Sequence, residues 1–181
     1  MGMSNDDSTV PSVVILDIDG VLADVRHRLH HLERKPKDWS GFFGHMAQDP
    51  VLPEGVALAE SFAADGHLIV YVTGRPAEYR DLTLSWLRAN KLPTGELIMR
   101  RRSDHRPAAT IKTEVVREYA KNSTIVAIVD DDPAVVAALR SHALPVRLAT
   151  WHGLPDHGAD PQASDSAHQL LLEAQEEDGA T

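Results

Sequence analysis

Apolar and polar positions along this chain come in blocks. Val13, Val14, Ile15 and Leu16 form an unbroken apolar run, the pattern of a strand covered on both faces. HLIVYVT (67–73), ELIMR (96–100), STIVAIVDDD (123–132) and VRLAT (146–150) predict four more strands. Helical stretches separate them. PEGVALAESFAADG puts Val56, Ala59 and Phe62 on one face and stops at Gly66. PAEYRDLTLSWLRAN opens on Pro76, suited to a first helical turn, and aligns Tyr79, Leu82 and Trp86. TIKTEVVREYAKN carries Ile111, Val115 and Tyr119 at spacing four, and PAVVAALRSH follows the fourth strand. Strands alternating with helices predict an α/β domain with a parallel sheet and right-handed crossovers.

Three stretches fall outside that alternation. Residues 1–12 are polar and acidic and are expected to be disordered. Residues 24–53, rich in His, Arg, Lys and Pro, show no strand pattern and form an insert after the first strand. Residues 152–181 form an acidic tail in which HQLLLEAQ predicts a short helix. A frayed tail and docking through Leu170–Leu172 fit that segment equally well. The domain proper is expected over 13–151.

The length of 181 residues and 43% hydrophobic content suit one domain with a real core. No apolar run approaches the roughly 18–20 residues of a membrane span. The polar, acidic start is no secretory signal, so a cytoplasmic location is the default. The absence of cysteine excludes a disulfide framework, a thiolate zinc site and a cysteine nucleophile. The net charge of −9 belongs to the ends: all 18 Lys and Arg and 18 of the 27 acids lie in 13–151, which is neutral.

Polar residues of a particular kind stand at three strand ends. These are Asp17 and Asp19 after the first, Thr73-Gly74-Arg75 after the second, and Asp130-Asp131-Asp132 after the fourth. Ligands of open parallel sheets bind at the carboxyl ends of strands. Each signal has a bland reading as well: a turn for the Asp pair, a solvated charge for Lys112, a helix cap for VDDDP. Two like charges about 4 Å apart repel by about 4 kcal/mol at an effective dielectric of 20. A hard divalent cation offsets this, and an oxygen-only ligand set points to Mg²⁺. A carboxylate is also a nucleophile already deprotonated at neutral pH. Asp19 is placed to protonate a leaving oxygen and then to activate water.

Taken together and in this order, DIDGVLAD, VTGRP, Lys112 and VDDDP resemble the four motifs of the haloacid dehalogenase (HAD) superfamily of phosphohydrolases. The resemblance covers 13–151 and implies a three-layer Rossmann-like fold with strand order 5-4-1-2-3. It implies Asp17 as nucleophile, Asp19 as acid/base, Thr73 as phosphate holder and Lys112 as charge stabiliser. It also implies Mg²⁺ held by Asp17, Asp19, Asp130 and Asp131. Within the superfamily the chain is most similar to the phosphatase domain of polynucleotide kinase/phosphatases. TGRP…YR…T…WL and IMRRRSDHRPAATIKTEVV carry that likeness. It departs from the pattern at Ala108, Ala109 and Thr110, where relatives often carry an acid.

The expected reaction is phosphomonoester hydrolysis, with a polynucleotide 3′ end as substrate. A nucleotidase or other small-molecule phosphatase is the alternative, and a non-catalytic phosphate-binding scaffold the alternative of another class. A kinase P-loop is absent, and a receiver domain lacks a fitting phospho-acceptor strand. Gly74, Arg75, Arg101, Arg102 and Arg106 are the expected substrate-binding residues. No protein partner is evident. The 24–53 insert is small enough to predict an open site, with Trp39, Phe42 and Phe43 as its core. His27, His30 and His31 read as a solvated face.

Overall fold

The computed structural model describes residues 10–151 and 169–172. Five parallel strands form one sheet: β1 (Ser12–Leu16), β2 (Leu68–Pro76), β3 (Gly95–Arg100), β4 (Thr124–Asp130) and β5 (Val146–Leu148). Their order is β3-β2-β1-β4-β5, which is the expected order read from the other edge. β1 starts one residue earlier than its apolar run, and the Thr124 N–H donates to the Pro11 carbonyl. Residues 11 and 12, expected in the disordered N-terminal segment, are therefore paired; 1–9 lie outside the described residues.

The unbroken apolar strands have a simple cause: both faces of the sheet are covered. Val14, Leu16, Ile69 and Tyr71 point to one side, against helices α2 (Pro53–Ala64) and α3 (Arg80–Ala89) through Ala59, Trp86 and Leu87. Val13, Ile15, Val70, Val72 and Ile128 point to the other. There they meet α4 (Ala108–Tyr119) and α5 (Pro133–Ser141) through Val116, Val135 and Leu139. Alternation along each strand fills two separate cores, the three-layer arrangement of doubly wound domains.

Two element assignments differ from the sequence pattern. Pro76 ends β2, paired with Arg100, rather than opening a helix; a 3₁₀ turn at Ala77–Tyr79 intervenes before α3. On α4 the buried face runs through Lys112 and Val116, while Ile111, Val115 and Tyr119 are only partly covered. Asp132 caps α5, its side chain accepting from the Ala134 N–H at 2.7 Å, with Pro133 at the first helical position.

The 24–53 insert builds a third, small core. A 3₁₀ helix at Arg26–His31, helix α1 (Trp39–Gly44) and a 3₁₀ turn at Met46–Gln48 bury Val25, Leu29, Leu32, Phe42, Phe43 and Met46. Tyr79 and Leu82 pack onto it from the α3 region, so part of the Tyr79–Leu82–Trp86 stripe serves the insert and part the main core. Leu171, from the acidic tail, is also buried in this cluster, 2% exposed, with Leu170 packed beside it. Of the two readings of HQLLLEAQ, docking is the one observed for residues 169–172.

Candidate active site

β1 delivers Asp17 at its carboxyl end, where the Asp17 N–H still bonds to the Val129 carbonyl at 3.0 Å. β4, the neighbour on one side, delivers Asp130 and Asp131. The carboxylates of Asp17, Asp130 and Asp131 are buried and lie within 4.8 Å of one another, the one such group among the described residues. Lys112, on α4, inserts its ammonium between two of them, donating to Asp17 Oδ2 and Asp130 Oδ2 at 2.7 Å each. Lys112 thus pairs with two of the three acids. Burial pushes Asp17 up to about 7 against the pull of Lys112, and Asp130 rises for the same reason. Asp131 rises well above the carboxylate range through burial and through its neighbours Asp17 and Asp130. Buried oxygen donors at this spacing, each held off ionisation, fit a hard divalent cation such as Mg²⁺.

Gly20 makes this packing fit. It sits at φ +76°, and a Cβ there would lie 1.8 Å from Asp131 Oδ2. The turn after β1 thus brings its backbone against the acidic cluster at a point where only glycine has room.

Asp19 lies outside the three-acid group, although the motif pattern places it with the metal ligands. Two guanidiniums hold its carboxylate: Arg75 Nε donates to Oδ1 at 3.1 Å and to Oδ2 at 3.2 Å, and Arg28 Nη2 to Oδ1 at 2.8 Å. Burial opposes its charge, but Arg75 and Arg28 outweigh burial and hold Asp19 below the usual carboxylate range. The same arginines converge on Asp49. Arg28 Nε donates to Asp49 Oδ1 at 2.7 Å, Arg75 Nη2 to Oδ2 at 2.8 Å, and His27 Nε2 lies 2.8 Å from Oδ1. Two cations and two anions, all buried, make a closed square tying the insert to the end of β1.

Arg75 reaches Asp19 because β2 bulges. Thr73 pairs with Met99 and Pro76 with Arg100, so Gly74 and Arg75 have no partners in the ladder. The bulge re-aims the arginine away from the β3 edge. Arg75, expected to bind substrate, is instead fully buried and committed to Asp19 and Asp49. Arg28 and Asp49 are the site residues that pattern reading misses. RHRLHH reads as a solvated face, yet Arg28 and His31 are buried; His31 pairs with Asp38 at 2.9 Å. A signal is present: Arg28 sits between Val25, Leu29 and Leu32, a charge on an apolar stripe.

Thr73 and Gly74 border two spaces. Over Asp17, Asp19, Lys112 and Asp131 lies a cleft of only about 10 Å³, walled on its outer side by Leu171 and Leu172. The insert is small, as expected, and Leu171 and Leu172 stand beside the site it leaves. Beside the cleft, between the ends of β2 and β3 and the start of α4, lies a second cavity of about 220 Å³. Val72, Ile98, Ile111 and Val115 give it apolar walls, and Arg101, Arg106, Asp104 and Glu114 a charged rim. Arg106, at the cavity rim, pairs with Asp104 and Glu114 at 2.8 and 2.7 Å. Arg102 stands out in solvent, 3.5 Å from Glu78, whereas Arg101 has no ion-pair partner among the described residues.

Among the described residues no helix is long and apolar enough to cross a membrane. No curated protein matches the chain. Among solved structures, a chain of the Pnkp1/Rnl/Hen1 RNA repair complex is 25% identical, with a TM-score of 0.65 over 78% of this chain. The match spans 43% of that chain, less than half its length. A class C acid phosphatase from Bacillus anthracis with tungstate bound shares the fold. Its TM-score is 0.58 at 14% identity over 90% of this chain and 80% of that one. A hydrolase from Streptococcus pneumoniae TIGR4 does likewise, with TM-score 0.54 at 15% identity over 78% and 94%. The model of the family described as the polynucleotide kinase PNKP phosphatase domain matches residues 11–149, which include all five strands, the three polar strand ends and Lys112. The chain belongs to that family and is a HAD-type phosphomonoesterase.

Proposed function

We propose that the chain hydrolyses phosphate from the 3′ end of a polynucleotide, with Mg²⁺ and through an aspartyl-phosphate on Asp17. The observation that carries this reading is the separation of two neighbouring carboxylates into different environments. Asp17 faces Lys112 and the other two acids, whereas Asp19 is held by two arginines. Different surroundings give paired carboxyls different tasks.

Asp17, Asp130 and Asp131 would hold the Mg²⁺, which neutralises charge on the phosphoryl oxygens when bound. An Asp17 oxygen attacks phosphorus, and the bond to the leaving oxygen breaks. The Thr73 hydroxyl and the Gly74 N–H hold phosphoryl oxygens, and the Lys112 ammonium offsets their charge. Burial works against that ammonium, but Asp130 and Asp17 hold it charged. A phosphate dianion beside Asp19 adds like-charge repulsion, which raises its proton affinity. Asp19 thus takes up a proton as substrate enters and gives it to the leaving oxygen. It then removes a proton from the water that attacks the aspartyl-phosphate, releasing phosphate and restoring Asp17.

Arg101 and Arg102 support the polymeric substrate, because one lines the cavity beside Thr73 and Lys112 and the other stands exposed next to it. Contacts to a phosphodiester backbone weaken with salt and ignore sequence. A 3′-phosphorylated oligonucleotide is therefore expected to be a better substrate than the matching 3′-mononucleotide. Replacing Arg101 and Arg102 together by Ala should raise KM for the oligonucleotide and spare p-nitrophenyl phosphate. Equal efficiency on both nucleotides, insensitive to salt, would assign the chain to small phosphate esters instead. The narrow cleft over Asp17 is the feature favouring that second reading.

A further inference from the structure

We infer that the C-terminal segment 169–172 is a cover latched over the active site, which a chain-like substrate has to displace. The inference rests on the phosphatase reading. Leu171 is nearly as buried as any residue of the insert core, among Val25, Leu29, Leu32, Phe42, Phe43 and Met46. Taking a leucine side chain out of water favours the docked segment. That is the latch. Leu171 and Leu172 also wall the cleft that contains Asp17, Asp19, Thr73, Lys112 and Asp131. Leu171 thus both grips the insert and walls the site.

The size of the cleft gives the cover its consequence. About 10 Å³ is room for a single water molecule and too little for a phosphoryl group. Of its walls, β1, β2, β4 and α4 are pinned by the sheet and the two main cores. Leu171 is the wall residue that belongs to the small third core, where Leu170 packs beside it. A substrate that binds only the uncovered state loses apparent affinity in proportion to the fraction uncovered. For a minor state populated at about 1–10%, releasing the latch recovers roughly ten- to a hundredfold.

The chain has no cysteine, so a single introduced thiol reports the cover without background. Leu171→Cys should react with a thiol reagent far more slowly than Val10→Cys, at a position 61% exposed. In an Asp17→Asn background, a 3′-phosphorylated oligonucleotide should speed labelling of Leu171→Cys by roughly tenfold, as expected when binding and opening are linked. Leu171→Glu should raise kcat/KM for that oligonucleotide, relative to p-nitrophenyl phosphate, by about the same factor. Leu171→Ala should move it the same way by less, and thermal melting checks that both variants fold. Labelling of Leu171→Cys as fast as that of Val10→Cys would overturn the cover, as would labelling indifferent to oligonucleotide or an unchanged selectivity ratio in both variants. Failure of the wild-type chain to hydrolyse either substrate with Mg²⁺ would instead count against the phosphatase reading. The comparison of the two thiols, which uses no turnover, still decides whether the cover is latched.

Discussion

Gly20 controls how closely the turn after β1 approaches the acids of β4. Its φ of +76° costs an L-residue roughly 1–2 kcal/mol, and the Asp131 carboxylate occupies the place of a side chain. Gly20→Ala should therefore lower stability and also push Asp131 out of register with Asp17 and Asp130. Calorimetric titration should show weaker Mg²⁺ binding along with the lower melting temperature. Unaltered melting and Mg²⁺ affinity in the Gly20→Ala protein would show that Asp131 does not depend on this contact. Among single residues the sequence is most legible where chemistry is local. Asp17, Thr73, Lys112 and Asp130 each follow a recognisable strand or stand on a helix, and all come together. Arg28 and Asp49 are not legible as a pair, because they lie 21 residues apart in the chain and none of the four motifs contains them.

Among the elements, the Arg28–Asp49–Arg75–Asp19 square ties the insert to β1 and β2. Removing one partner of a buried ion pair costs about 3–5 kcal/mol because the other charge is left behind. Arg28→Ala should fall in that range by denaturant unfolding and should free Asp19 to titrate closer to the ordinary carboxylate range. Arg28→Ala combined with Asp49→Asn should cost less than the sum of the two, since each removes the other's stranded charge. Additive losses would mean that the two side chains do not act together. The elements themselves are mostly readable. Unbroken apolar runs mark the strands because both sheet faces are covered, and Asp132-Pro133 marks the start of α5. Pro76 misleads because its ring suits a helix start and a strand end alike; pairing with Arg100 decides for the strand. The buried face of α4 escapes the pattern for a chemical reason. Its central residue is Lys112, an ion-paired charge that a hydrophobic stripe cannot reveal.

For the molecule as a whole, the three raised carboxyls make stability depend on pH and metal together. An acid whose folded pKa lies above its unfolded value binds protons more readily when folded, so stability rises as pH falls through the folded pKa. Asp17 is raised to about 7, with Asp130 and Asp131 also raised. Asp19 is lowered and stays ionised throughout that window, so it does not cancel the effect. Chelator-treated protein should therefore melt at a higher temperature near pH 6 than near pH 8. Mg²⁺ should remove most of that difference, because the ion replaces the protons. Equal melting at both pH values in chelator, unmoved by Mg²⁺, would contradict an acidic cluster built for a cation. The place of Leu171 and Leu172 beside the site is beyond sequence reasoning. HQLLLEAQ reads equally as a fray or a docked helix until the insert core that receives Leu171 is known.

Every step proposed for this site depends on Asp17 becoming phosphorylated. Acid quenching during turnover of p-nitrophenyl phosphate with Mg²⁺, followed by borohydride reduction, converts an aspartyl-phosphate to homoserine. Peptide mass spectrometry then locates the homoserine. The mechanism predicts homoserine at position 17, more of it in Asp19→Asn, where attack of water lacks its base, and none in Asp17→Asn, which is also inactive. Steady turnover with Asp17 unmodified, or with the label on another side chain, would overturn it.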